Sequence, residues 1–370
     1  MRIAIDSRPL VASWGGVRRY TQSLIEALAR NDRDNEYALC GLPRSWDEPS
    51  FGPNLRVHPD RFPMARFIDQ LRLTSVSGHI DLYHGTNYMA PLSGRFPTVI
   101  TVHDLSVNLL PKTHPVRRRL RHRLLPKLCH GASRIIADSR NTKLDLVRCM
   151  QVPEDKIDVI YLAAGSNLER VEDEKALTAI RKRYGLPERF LLYVGSVEPR
   201  KNLPSVLEAV SVLKESGRPE SLVIAGRGEP KYLAHIRSVL RANHLVEGED
   251  VHLIGPVAEA DLAGLYSLCA LFVYPSLYEG FGLPPLEAMA CGAPVLLANN
   301  SSLSELFEES SAFVDLDRPD GLLLAIETLL DSADLRAQLV EKGLKRAQSR
   351  TWDDIAIETL DVYRRAAEER

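Results

Sequence analysis

The 370-residue sequence contains no run of about 18 or more apolar residues, so nothing in it reads as a membrane-spanning helix. Residues 2–6 enter a strand-like run at once, which leaves no room for a secretory leader and makes the cytoplasm the expected location. Cysteine is scarce. Cys40, Cys129, Cys149, Cys269 and Cys291 are scattered, odd in number and without C-x-x-C spacing, which argues against a disulfide framework and a zinc site and reads as reduced core residues. Acid is missing from one long stretch: residues 105–137 hold no Asp or Glu, yet carry Lys112, Arg117, Arg118, Arg119, Arg121, Arg123, Lys127 and Arg134.

A chain this long is about twice a typical domain, and its apolar content is ample for two cores. The formal net charge of -2 hides a split: residues 1–165 carry 24 basic against 16 acidic side chains, and residues 166–370 carry 23 against 33. Two halves facing different partners is the natural reading.

Residues 278–295, YEGFGLPPLEAMACGAPV, combine more unusual requirements than any other stretch. Residues 270–274 predict a buried strand, the glycines and prolines a loop, and Pro284 a helix start, where a missing amide hydrogen and a fixed φ are harmless. Loop and helix start together promise free amides at a positive dipole end, which attract anions or oriented hydroxyls. Glu279 stands in the loop and Glu287 about one turn into the helix, placed to meet different parts of one extended ligand.

Strands are predicted at 3–5, 81–83, 98–102, 134–138 and 157–162, then at 190–194, 222–225, 251–254, 271–274 and 294–297, alternating with helical stretches. That alternation predicts parallel sheets covered by helices on both faces, with a linker at 163–169. Gly15 and Gly16 mark a strand, glycine turn and helix, where a ligand can approach the backbone. His103, in TVHDLS, follows a strand at the end where open α/β sheets bind ligands, although a histidine bonded within its own loop is the commoner case at such a position taken alone. Asp104 is placed to fix the ring and cap the following turn. In GSVEPRKNLP, Arg200 and Lys201 stand at a helix start, where cations oppose the dipole unless an anion such as a diphosphate binds there. The 105–137 region predicts one basic amphipathic helix with Leu120, Leu124, Leu125 and Leu128 on its apolar side. An anionic membrane, nucleic acid and plain solvent are its possible partners, nucleic acid being least favoured without aromatic interleaving.

The E-x7-E pattern with GFGLPPL and AMACGAPV, together with TVHDLS and GSVEPRKNLP, resembles the retaining nucleotide-sugar glycosyltransferases of family 4, the glycosyl transferases group 1. The similarity covers nearly the whole chain. It implies an α/β GT-B fold, two Rossmann-like doubly wound parallel-sheet domains facing across a cleft: an acceptor-binding domain at 1–164, a nucleotide-sugar domain at 165–350, and a helix at 351–370 crossing back. By resemblance, Glu279 and His103 meet the donor sugar, Glu287 the ribose and Lys201 the diphosphate. Gly16, Ser196, Arg200, Pro256, Val257, Gly280, Phe281, Gly282 and Leu283 join the donor site. Ser196 departs from the family pattern, which often has Arg there, and Arg200 is the residue at hand to replace it. Ser304 stands where relatives usually have Pro.

Arg117, Arg118, Arg121 and Lys127 become candidates for a membrane surface or a lipid-linked acceptor. No cofactor and no metal are expected. Asp-x-Asp occurs at 32–34 and 315–317, but neither copy follows a strand in the required context. The implied reaction is retaining, metal-independent transfer of a hexosyl group, mannosyl or rhamnosyl favoured, to a lipid-linked or oligosaccharide acceptor in bacterial polysaccharide or O-antigen synthesis. Glucosyl or N-acetylhexosaminyl transfer is the alternative within the fold. An epimerase, a phosphorylase or a silent sugar-nucleotide-binding protein are the alternatives outside transfer. Glu279→Ala is expected to remove activity and spare the fold, since a loop carboxylate adds little to a core.

Overall fold

The computed structural model describes residues 1–12, 15–43, 46, 51–58, 79–91 and 96–369. Residues 13 and 14 of the first glycine loop lie outside them. The chain forms two compact units, Met1–Leu162 joined by the chain from Arg350 onward, and Ala163–Ser349, against the boundaries of 164 and 350 read from the sequence.

The first unit is built on a seven-stranded parallel sheet of β1 (Arg2–Asp6), β2 (Glu36–Cys40), β3 (Leu55–His58), β4 (Leu82–Gly85), β5 (Thr98–Val102), β6 (Arg134–Ala137) and β7 (Ile157–Val159), in the order β3-β2-β1-β4-β5-β6-β7. The second holds six parallel strands, β8 (Phe190–Val194), β9 (Ser221–Ala225), β10 (Val251–Gly255), β11 (Leu271–Tyr274), β12 (Val295–Ala298) and β13 (Ala312–Val314), in the order β10-β9-β8-β11-β12-β13. Each sheet therefore reverses its winding once, between β1 and β4 in the first and between β8 and β11 in the second. Crevices at the carboxyl ends of such a switch are where doubly wound sheets bind ligands. Strands buried on both faces must be apolar throughout. FLLYV of β8, LFVY of β11 and VLLA of β12 are buried at every position. The sequence reading missed β2, β3 and β13; β3 is a half-exposed edge strand and β13 only three residues long.

The helix Trp352–Glu368 belongs to the first unit. Thr351 and Asp354 form a reciprocal capping box at its start. Asp353 accepts from Arg30 and Asn31 at 2.8 Å each, Arg365 pairs with Asp158 at 2.8 Å, and the Tyr363 hydroxyl meets His84 Nδ1 at 2.7 Å inside the core.

Three expectations change. The 105–137 region is not one helix: Ser106–Leu109, Val116–His122 and Leu125–Gly131 are separate short helices before β6, the last two parted because Pro126 cannot continue Val116–His122, its ring meeting the carbonyl four residues back. Leu125 and Leu128 are buried, but Leu120 is turned outward, 53% exposed. Cys149 is exposed, whereas the other four cysteines are buried. The second Asp-x-Asp copy, read from the sequence as following no strand, comes directly after β13, and both copies shape turns. Asp32 accepts from the backbone of Asp34 and Asn35, and Asp315 from that of Asp317.

Candidate active site

The β8–β11 switch carries most of the candidate donor-binding residues. After β8 the chain makes a 3-10 turn, Pro199–Lys201, and passes through Asn202 in the left-handed region (φ 55°) into the helix Leu203–Glu215. Asparagine tolerates that conformation better than most residues, and the turn directs both cations inward, leaving Arg200 and Lys201 buried. After β11, Ser276 and Leu277 bond the Arg200 carbonyl, which locks the two loops together.

These loops place a closed triad of charges. Lys201 Nζ donates to Glu279 Oε1 at 2.5 Å and to the Tyr274 hydroxyl at 2.6 Å, and Arg200 meets Glu279 Oε2 at 2.9 Å. Lys201 also lies 4.7 Å from the centre of the Tyr274 ring, which stacks on Tyr193 and Phe272. Arg200 reaches Glu198 at 2.9 Å as well. Burial alone would raise the Glu279 pKa, but Arg200 and Lys201 outweigh it and hold the carboxyl below its usual range. Burial and the adjacent guanidinium pull Lys201 below the usual lysine range, with Glu279 opposing them. A carboxylate between two buried cations is no solvated loop residue, so the expectation that Glu279→Ala spares the fold is corrected: among the described residues, truncation would leave Lys201 buried without a paired carboxylate and Arg200 with that of Glu198.

The backbone around Glu279 is clamped by the helix Ser301–Phe307. The Glu279 amide donates to Ser301 Oγ at 3.0 Å, and Ser302 Oγ donates to the Glu279 carbonyl at 2.9 Å. Ser301 adopts φ 46° to do so. The cluster of free amides expected here is thinner than it read, since Ser301 takes that amide and Pro284 and Pro285 have none. Gly282 is required at the turn: its φ is 101°, and a Cβ would lie 2.8 Å from Leu303. Gly280, Phe281, Gly282 and Leu283 are all buried, with Phe281 edge-on to Phe307.

Glu287 does not join the triad. It lies buried in the helix Leu283–Ala290, where the Tyr266 hydroxyl donates to its Oε2 at 3.0 Å. Ser196 is exposed at the end of β8, and its carbonyl accepts from the Tyr193 hydroxyl at 2.8 Å. Pro256, exposed, and Val257, buried, follow β10.

His103 follows β5 in the first unit, with Nδ1 2.6 Å from Asp138 Oδ2 and Nε2 2.9 Å from the Thr86 carbonyl oxygen. Asp104 caps the next turn as expected, accepting from the Ser106 amide at 2.8 Å and the Ser106 hydroxyl at 2.6 Å, but the carboxylate bonded to the ring is that of Asp138. Tyr20 sets its ring edge-on to His103 at 4.8 Å. Gly16 is exposed where it opens the helix Gly16–Asn31. Arg117, Arg118, Arg121 and Lys127 are exposed. The sequence reading missed Tyr274, Ser301, Ser302, Tyr266 and Asp138. Only the polar run NNSS carried a signal, as a turn.

Residues 178–346 match the family model described as Glycosyl transferases group 1, and residues 14–163 the model described as Glycosyltransferase Family 4. Over 287 residues the chain is 32% identical to the O-antigen chain mannosyltransferase B of Escherichia coli, covering 76% of this chain and 74% of that protein. It is 30% identical over 290 residues to the serotype-specific mannosyltransferase WbdA of Escherichia coli, 76% of this chain but only 35% of that longer protein. Among solved structures, sucrose-phosphate synthase from Thermosynechococcus elongatus superposes with a TM-score of 0.79 at 22% identity, covering 100% of both chains.

Proposed function

Because the chain belongs to the family 4 glycosyltransferases and is a glycosyltransferase of the GT-B type, we propose that it is a retaining, metal-independent mannosyltransferase of surface polysaccharide assembly, using GDP-mannose. The observation that carries the reading is the buried Arg200–Lys201–Glu279 triad at the β8–β11 switch. Transfer separates an oxocarbenium-like sugar from a nucleoside diphosphate, so a site needs cations for the leaving group and a carboxylate for the sugar, already desolvated and oriented. Here both are held within one cluster. Donor phosphates take over Lys201 and Arg200, and Glu279 turns to the sugar hydroxyls.

Retention can proceed through a covalent carboxylate intermediate or by attack on the face the leaving group vacates. A carboxylate stabilised by two cations is a weak nucleophile, which favours the second route. The acceptor oxygen bonds to the anomeric carbon, the bond to the diphosphate oxygen breaks, and the acceptor proton passes to a phosphate oxygen. The mannosyl assignment rests on the names of the relatives at 30% identity or above.

Thermal-shift measurements with GDP-mannose, dTDP-rhamnose, UDP-glucose and UDP-N-acetylglucosamine, each with and without EDTA, test the donor. GDP-mannose at about 100 times its dissociation constant should add roughly 2.7 kcal/mol, unchanged by EDTA. A shift with another donor alone, or one lost with EDTA, overturns the corresponding part of the proposal.

The acceptor, on this reading, is lipid-linked and met at the anionic inner face of the cell membrane. Val116 (59% exposed), Leu120 (53%) and Leu109 (39%) stand out of the acid-free segment beside Lys112, Arg117, Arg118, Arg119 and Arg121. Apolar side chains rimmed by cations suit an anionic interface, each charge adding about 1 kcal/mol. Arg117→Glu with Leu120→Glu should abolish flotation with vesicles containing phosphatidylglycerol and leave turnover on a soluble acceptor intact. Equal flotation of both proteins would sink the membrane reading.

A further inference from the structure

The contacts of His103 determine its protonation. A carboxylate and a backbone carbonyl only accept, so its two contacts, 2.6 Å from Nδ1 to Asp138 and 2.9 Å from Nε2 to Thr86, are both hydrogen bonds only if each ring nitrogen carries a proton. We propose that Asp138 is a positioning residue of the transfer reaction, keeping His103 a doubly protonated imidazolium whose Nε2–H is always a donor. That proton points at the Thr86 carbonyl, and any substrate oxygen that takes the carbonyl's place must accept from it. This rests on the transferase reading above.

The pair arises from register. β5 and β6 align Val102 with Ala137, so the next residue of each strand, His103 and Asp138, emerge side by side. Asp138 serves no cap, because Ser139 caps the helix Arg140–Met150. Its Oδ1 is buried with no hydrogen-bond partner, which leaves His103 as its hydrogen-bonding partner among the described residues. A buried aspartate spending its one bond on a ring at the mouth of the sheet is accounted for by what it does to that ring.

The surroundings agree. His103 is faced by Asp138 just after β6, by Asp104 beside it, by Tyr20 from the helix Gly16–Asn31, and by His84 from β4. His84 is kept neutral, its pKa depressed to about 3 by burial and then by His103, and its nitrogens meet Tyr363 and the Thr101 hydroxyl. Burial pulls His103 down, but Asp138, the Thr86 carbonyl and Asp104 together set its pKa above the usual value. The sign follows. A raised folded pKa means that the pair stabilises the unit fully below pH 6.5, the unperturbed value, and less as the pH climbs through the folded pKa.

Asp138→Asn keeps the shape and an acceptor for Nδ1–H but removes the charge. Two measurements on the full chain test the role: the pH dependence of kcat/KM, and nitrogen-15 NMR of the His103 ring without donor, assigned with His103→Gln. The wild-type ring should be an imidazolium at neutral pH. In Asp138→Asn it should be neutral, with the alkaline limb of kcat/KM moved down by about one to two pH units. A neutral wild-type ring overturns the proposal, and so does a variant whose limb does not move. Failure of the variant to fold leaves the wild-type spectrum decisive. Absence of wild-type turnover with every donor would refute the transferase reading and leave that spectrum readable.

Discussion

Glu279→Ala is expected to lose transfer and thermal stability together. Without the carboxylate, Arg200 retains Glu198 but loses its second counterion, Lys201 retains the Tyr274 hydroxyl but has no paired counterion left among the described residues, and the two cations are 7% and 5% exposed. Breaking a buried pair from one side costs about 3–5 kcal/mol, against a total stability of about 5–15 kcal/mol. For a unit of this size that corresponds to a fall in Tm of about 10 °C. Turnover should fall by about a thousandfold, the effect of removing one preorganised charge from a desolvated site. Glu279→Gln removes the same charge but keeps the side-chain volume and an acceptor for Lys201, so the difference between the two variants separates lost packing and hydrogen bonding from lost charge. Calorimetry and initial rates on both variants check this; an unchanged melting curve for the alanine variant would show that the triad does not hold the loops.

Which features the sequence disclosed follows from how each is encoded. β5, β8 and β11 are apolar at nearly every position because both faces are covered, and short runs between glycines and prolines announce them. β3 offers only a half-exposed LRVH, and β13 is too short for any period to register. Glu279 and Lys201 stood out one at a time, each in a loop crowded with special residues. Their partnership did not, since it depends on β8 pairing with β11 across two intervening strands. Asp138 shows the same limit. Asp104 is next to His103 in sequence and drew the role of fixing the ring, but successive residues at a strand end point to opposite sides, whereas strand pairing brings the neighbour 35 positions away alongside. The broken basic helix is a different failure: Pro126 was visible, and the charge pattern was followed past it.

Lys201→Met is expected to reduce kcat/KM by roughly a hundred- to a thousandfold, because the departing diphosphate loses a desolvated cation at the moment its charge develops. Its effect on folding should be milder than that of Glu279→Ala. Glu279 still has Arg200 at 2.9 Å, so only one of its two counterions is gone and no unpaired cation is left behind. The decisive experiment combines Lys201→Met with Glu279→Gln. Removing both members of a buried pair relieves the desolvation that each single change leaves exposed, so the double variant should be more stable than the sum of the single effects, by about 1–3 kcal/mol. Turnover should show no such recovery, since the anion and the sugar have each lost a partner. Additive stabilities would mean that Lys201 and Glu279 do not share one interaction. Recovered stability without recovered turnover would separate what the triad does for the fold from what it does for the donor: the empty protein uses Glu279 to neutralise two cations that a diphosphate would otherwise neutralise, and binding exchanges one anion for the other.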